Sequence, residues 1–136
     1  ILGKAGVLLT KVEYVKKRPA KNFAIIDAAM NDLMRPSLYN AHHDIINTSK
    51  CTAESTTFDV VGPVCETGDF IGKDRNLSLA EGNLLAVVDV GAYGMSMSSN
   101  YNSRVRPVEL LVDGDKIREI RKRENFSDLI RGESII

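Results

Sequence analysis

Cysteine is scarce: Cys51 and Cys65 are the two thiols in 136 residues. They are too few for a disulfide framework and lack the spacing of a zinc site, so a reducing, cytoplasmic compartment is expected. Charge bias is missing as well. Eighteen basic residues balance 18 acidic ones, which leaves no electrostatic footprint for nucleic acid or an anionic membrane. The basic stretch Arg118 to Arg123 is interleaved with Ile and Glu and reads as one solvated strand face. No apolar run approaches the roughly 20 residues of a membrane-spanning helix. No signal peptide is visible. The opening Ile1-Leu2-Gly3-Lys4 is not a Met start and reads as mid-sequence, which predicts a fragment or a processed chain. Internal repeats, low-complexity segments, a nucleophile elbow, a P-loop and a dinucleotide fingerprint are all missing.

What remains is the composition of a soluble globular protein, 43% hydrophobic with a mean hydropathy of -0.12. The length suits one domain, residues 1–136, with a single small core. Gly6 to Lys17 is rich in β-branched and apolar residues and predicts a long strand, hairpin-paired through Arg18-Pro19 to a second strand at Phe23 to Ala28. Pro36 suits the start of a short helix, with Arg35 at its cap, running through Leu38, Tyr39 and Ala41. Asp44 to Asn47, Thr56 to Val61 and Leu84 to Val90 predict further strands, the last of them central. Asp69 to Arg75 predicts a turn-rich connection. Asp113-Gly114 predicts a type I′ hairpin turn between Val108–Val112 and Lys116–Arg121, because that turn needs positive φ. Phe126 to Arg131 predicts a last helical turn capped by Asn125 or Ser127. Short strands at regular spacing predict a mainly β fold, a small sandwich or barrel with one or two short helices.

Chemistry concentrates in three places. In Gly62-Pro63-Val64-Cys65-Glu66-Thr67-Gly68-Asp69 a thiol adjoins a carboxylate in a loop at the end of a strand. Pro63 cannot continue a ladder and Gly68 is free to take positive φ. This is either an ordinary turn around an inert Cys or a loop that presents a reactive pair. Such a pair could donate a proton from Cys65 and bind an ammonium through Glu66. Arg35, with Tyr39 one turn later, sets a planar cationic fork beside a hydroxyl and suits a carboxylate. Tyr93, between Gly91 and Gly94, stands where backbone can approach a ligand, with a hydroxyl able to bond a phosphate or carboxylate. His42 and His43 lack ligands at metal spacing and read as helix-end polar residues, so no metal site is expected. Cys51 reads as structural.

Gly-Pro-x-Cys-Glu-Thr-Gly-Asp at 62–69 resembles the Cys-Glu-Ser/Thr-Gly-Asp motif of the diaminopimelate decarboxylases, pyridoxal-phosphate enzymes built like alanine racemase and ornithine decarboxylase. Met34-Arg35-Pro36-Ser37-Leu38-Tyr39 and Gly91-Ala92-Tyr93 match in the same order, as does the ending from Arg106 to Asp115. The resemblance covers nearly the whole chain. It implies the carboxy-terminal β-domain of such an enzyme, normally paired with an amino-terminal α/β barrel, in a homodimer whose subunits share active sites. It implies decarboxylation of meso-diaminopimelate to L-lysine and CO2 with pyridoxal phosphate as cofactor. Cys65 would then be the proton donor, and Arg35, Tyr39 and Glu66 would contact substrate, while Tyr93 would lie against cofactor phosphate and substrate. The Schiff-base lysine is expected in the barrel, since no lysine here matches its position, so the fragment alone is expected to be inactive.

Two rivals stand beside this reading. One is a decarboxylase of ornithine, arginine or carboxynorspermidine, disfavoured because an acidic residue at position 35 would better receive a distal ammonium. The other is a stand-alone β-domain that binds a partner and catalyses nothing.

Overall fold

The computed structural model describes residues 2–134. The chain divides into two compact units, Ile1–Ser98 and Ser99–Ile136.

The first unit is a single six-stranded sheet. Its strands are β1 (Val7–Lys16), β2 (Asn22–Ile26), β3 (Ile45–Asn47), β4 (Thr56–Val61), β5 (Phe70–Leu77) and β6 (Leu84–Val88), in the order β3-β6-β1-β2-β4-β5. The long strand β1 serves two partners. Val7 to Lys11 pair antiparallel with β6, Val12 to Lys16 pair antiparallel with β2, and the register with β2 shifts between Val12 and Tyr14. A bulge there bends the strand and raises its twist, so the sheet curls. Its two ends come together, with β3 and β5 in contact. An ideal Cβ on Gly72 of β5 would stand 2.9 Å from Ile45 Cδ1 of β3, so glycine permits the approach. The result is the nearly closed, barrel-like sheet of a mainly β fold, as the strand spacing predicts. Val12, Ile26, Phe58, Val60, Ile71, Leu85 and Val87 fill its interior. The alternation of β1, with Thr10 and Val12 inside and Leu9, Lys11 and Glu13 outside, follows the two-residue period of a strand.

Strand β4 runs parallel to β2. A parallel pair needs a crossover rather than a tight turn, and residues 27–55 provide it, carrying β3 and the helix α1 (Arg35–Tyr39). The crossover leaves β2 under tight control. Asp27 Oδ1 accepts both the Thr10 hydroxyl at 2.6 Å and the Lys11 N–H at 2.9 Å. The Thr10 oxygen in turn accepts the Ala28 N–H at 3.1 Å.

Three local expectations are corrected. Residues 69–75 are not a turn-rich connection, since 70–75 lie within β5. The polar run Lys73-Asp74-Arg75 is absorbed by irregular pairing with β4, where the register shifts on both sides of Val60. There Asp74 takes φ 54 and its N–H is accepted by Asp59 Oδ1 at 2.8 Å. Asp59 is buried and also pairs with Lys21 at 3.0 Å. Helix α1 stops at Tyr39, because Asn40 turns left-handed (φ 52) and Met34, not Arg35, is its cap. In the second unit, the two residues between β7 (Glu109–Asp113) and β8 (Lys116–Arg121) are Gly114 and Asp115. Gly114 alone of the two takes positive φ (57), the requirement of a type II′ turn and not of type I′.

Within that second unit, α2 (Phe126–Leu129) is closed by a capping box. Asn125 Oδ1 accepts the Ser127 N–H at 2.9 Å and Asp128 Oδ2 accepts the Asn125 N–H at 2.8 Å. Glu124, just upstream, accepts the Arg106 N–H at 2.8 Å and the Asn100 amide at 2.6 Å. The Arg106 N–H, then the Asn100 amide and the Arg106 guanidinium, hold its carboxyl below the ordinary value near 4.5.

Two outcomes are expected. Thr10→Val removes the acceptor of the buried Ala28 N–H and a donor to Asp27, and a loss of about 1–3 kcal/mol should appear in urea denaturation. Because the folded-state pKa of Glu124 is depressed, its stabilisation is complete above the unfolded value and is lost as pH falls through the folded one. Protection of the Arg106 amide, corrected for intrinsic exchange, should therefore decline below about pH 4.5, and Glu124→Gln should remove that decline.

Candidate functional site

Helix α1 is short, carries Pro36 in its first turn and is exposed along Leu38 and Tyr39. Residues two apart on a helix point to different sides, and residues four apart share one. Arg35 and Tyr39 therefore share a face, and Ser37 looks elsewhere. The two sides meet two different loops.

On the Arg35 side lies the turn after β6. The Arg35 guanidinium carbon is 5.6 Å from the centroid of the Tyr93 ring, a cation–π distance. Tyr93 takes φ 65 and leaves its side chain 60% exposed. A bulky residue in the left-handed region is strained by about 1–3 kcal/mol, and such strain collects where a side chain must be aimed. The turn is held from behind. Gly94 N–H donates to Val90 O at 3.2 Å and Gly91 N–H to Gly3 O at 3.0 Å. A Cβ on Gly91 would come within 2.0 Å of Leu2 O, so only glycine lets the turn rest on the amino-terminal segment.

On the Ser37 side lies the Cys65 loop, and the Ser37 hydroxyl donates to Gly68 O. The loop closes on itself through Gly62 N–H to Asp69 O (3.2 Å), Glu66 N–H to Val64 O (2.8 Å) and Asp69 N–H to Glu66 O (3.0 Å). Val64 is buried and anchors it, while Cys65 and Glu66 are exposed. Gly68 does not take the positive φ that its freedom allows. The tight turn is instead made by the Asp69 side chain, whose two oxygens accept the Val64 and Met30 N–H groups, each at 2.7 Å.

The structure thus gathers Arg35, Tyr39 and Tyr93 on one flank of α1, and Cys65 and Glu66 in a loop tied to the other. Sequence reasoning missed Asp69 and Ser37, which hold the loop. The signal for Asp69 was its place at the end of the Cys-Glu-Thr-Gly-Asp run. The remaining candidates lie outside this constellation. His43 is buried with Nδ1 3.0 Å from Val88 O, and His42 lies between Asp44 and Arg75. Cys51 is a half-buried free thiol. Among the described residues no group of three or more His, Cys, Asp or Glu is placed to hold a metal, and no helix is long and apolar enough to cross a membrane.

A pyridoxal cofactor needs a lysine, a phosphate site and a partner for its ring. None of the segments 35–39, 62–69 and 91–94 contains a lysine. The hydroxyl of the exposed Tyr93 is what these segments offer to a phosphate, since the Gly91 and Gly94 N–H groups already donate within the chain. That hydroxyl fits one edge of the group.

The family profile "Pyridoxal-dependent decarboxylase, C-terminal sheet domain" matches residues 3–91. Diaminopimelate decarboxylase of Vibrio cholerae is 58% identical over 136 residues, covering 100% of this chain and 33% of that protein. That of Pseudomonas aeruginosa is 56% identical with the same coverage. The solved diaminopimelate decarboxylase of Helicobacter pylori, complexed with L-lysine, superposes with a TM-score of 0.88 at 50% identity over 96% of this chain and 32% of its own. The chain spans about a third of the length of the relatives it matches. It belongs to the pyridoxal-dependent decarboxylase family, as that family's C-terminal sheet domain.

Proposed function

We propose that residues 1–136 are the carboxy-terminal domain of a cytoplasmic diaminopimelate decarboxylase, which converts meso-diaminopimelate to L-lysine and CO2. The observation that carries the reading is identity above half over the full chain with enzymes of that name, joined to a site whose groups suit that substrate. The L-lysine held by the Helicobacter pylori relative is the product that the reaction would release. The enzyme is a homodimer in which this domain faces a site shared between subunits.

Each side chain then has a task. The Arg35 fork binds the distal carboxylate in two parallel hydrogen bonds, with the Tyr39 hydroxyl beside it on the same helix face. Glu66 receives an ammonium of the substrate. Tyr93 would donate an O–H hydrogen bond to the cofactor phosphate, and its ring supports the Arg35 guanidinium. Pyridoxal phosphate, when bound through a lysine outside this chain, supplies the electron sink for loss of CO2. Cys65 then delivers the Sγ proton to the carbon that has lost its carboxylate. An Arg at position 35 also selects against diamine precursors, whose distal end is an ammonium that it would repel.

Two substitutions in the full-length enzyme test the assignment. Cys65→Ala should lower kcat by about 10²–10⁴-fold, the usual worth of a placed proton donor, and unchanged turnover would refute the role. Arg35→Ala should cost about 1.5–3 kcal/mol in kcat/KM for meso-diaminopimelate, the value of a charged hydrogen bond. It should also narrow the preference over ornithine. An undiminished preference would remove Arg35 from substrate recognition.

A further inference from the structure

The best-held group in the Cys65 loop has no part in the chemistry above. Asp69 is 4% exposed. Its Oδ2 accepts the N–H of Val64, the residue before the thiol, and its Oδ1 accepts the N–H of Met30, each at 2.7 Å. Met30 lies in the crossover that reaches Arg35 five residues later. One carboxylate therefore spans from the base of the proton-donor loop to the segment that launches the carboxylate-binding helix. The Ser37 to Gly68 hydrogen bond ties the same two segments a second time. Space for the carboxylate is reserved by glycine. An ideal Cβ on Gly62 would lie 2.4 and 2.6 Å from its two oxygens and 2.8 Å from Ala28 O. The Cys65 thiol makes no hydrogen bond among the described residues, so its position is inherited from this loop.

We propose that Asp69 is a positioning residue for the decarboxylation, setting Cys65 and Glu66 at a fixed place relative to Arg35. The donor thiol and the distal-carboxylate fork must act on two ends of one substrate molecule, and a misplacement of about 1 Å can lower turnover 10²-fold. Two charge-assisted hydrogen bonds from backbone N–H groups are short and directional enough to enforce that spacing. This inference rests on the decarboxylase reading.

The test uses the full-length holoenzyme and two independent variants. Asp69→Asn keeps the shape but turns an NH2 toward one of the two N–H donors. Gly62→Ala keeps the carboxylate but pushes it from its position, because the new Cβ would fall 2.4 and 2.6 Å from its oxygens. Both should lower kcat for meso-diaminopimelate about 10–100-fold while cofactor absorbance per subunit stays at the wild-type level. Both should also raise the rate at which iodoacetamide alkylates Cys65, which a purely structural role would leave unmoved in the folded enzyme. Wild-type kcat and alkylation rate in either folded variant would overturn the proposal. If one variant fails to fold, the other decides by the same two readouts. If the wild-type enzyme does not turn over meso-diaminopimelate, the functional reading fails, and the alkylation rates still decide whether Asp69 holds the loop.

Discussion

The fold depends on one strand being asked to satisfy two neighbours at once. Strand β1 pairs with β6 along its first half and with β2 along its second, with a register break between Val12 and Tyr14. A straight ten-residue strand would carry both partners along its whole length and give a flat sheet. The break instead turns the sheet on itself until β3 reaches β5. The curl also decides where the connections emerge. The turn after β6 lands on the segment that enters β1, through Gly91 N–H to Gly3 O at 3.0 Å, and the crossover after β2 leaves from Asp27 under the hold of Thr10 and Lys11. The site is assembled from what these connections carry.

Helix α1 is too short to be stable by itself, since five residues scarcely exceed one nucleating turn. It persists because Pro36 presets its first turn and is buried, and because its two sides are engaged by loops that other strands hold. The Cys65 loop leaves β4 and returns as β5, so its base is set by sheet pairing and its tip by Asp69. Sheet geometry places the segments, and a few backbone-directed hydrogen bonds place the side chains.

Strands with regular chemistry were legible in the sequence. The β-branched and apolar runs of β1, β2, β4 and β6 announce themselves within a few residues, because burial on one or both faces dictates their letters. Strand β5 was not legible. Its Lys73-Asp74-Arg75 run looks like a solvated turn, and it lies in a strand because β4 pairs with the chain on both sides of it, while Asp59 accepts the Asp74 N–H where the pairing is irregular. The hairpin turn was read one residue early, since Asp-Gly suits type I′ but the strands pair Asp113 with Lys116. The candidate residues were legible as ordered motifs, whereas the role proposed for Asp69 was not. That role depends on Met30, distant in sequence and unremarkable as a residue type, having its N–H in the right place.

The chemistry of the constellation matches its exposure in one respect and conflicts with it in another. Tyr39, Cys65, Glu66 and Tyr93 are exposed, Tyr39 and Tyr93 at 62% and 60%, and Arg35 is half-buried. Yet on the decarboxylase reading a thiol that protonates carbon, and an Arg that discriminates carboxylate from ammonium, would work best with water excluded, where electrostatic interactions are less screened. The domain solves the half of the problem that rigid geometry can solve. It fixes the Cys65 loop through a buried carboxylate and fixes Tyr93 through a strained turn backed by glycine. On the decarboxylase reading the other half, desolvation, belongs to the surface that closes over these groups. That surface would also bring the lysine that segments 35–39, 62–69 and 91–94 do not contain. Preorganisation before closure is what makes such a division workable, because a loop that ordered only on closing would add its conformational entropy to the barrier.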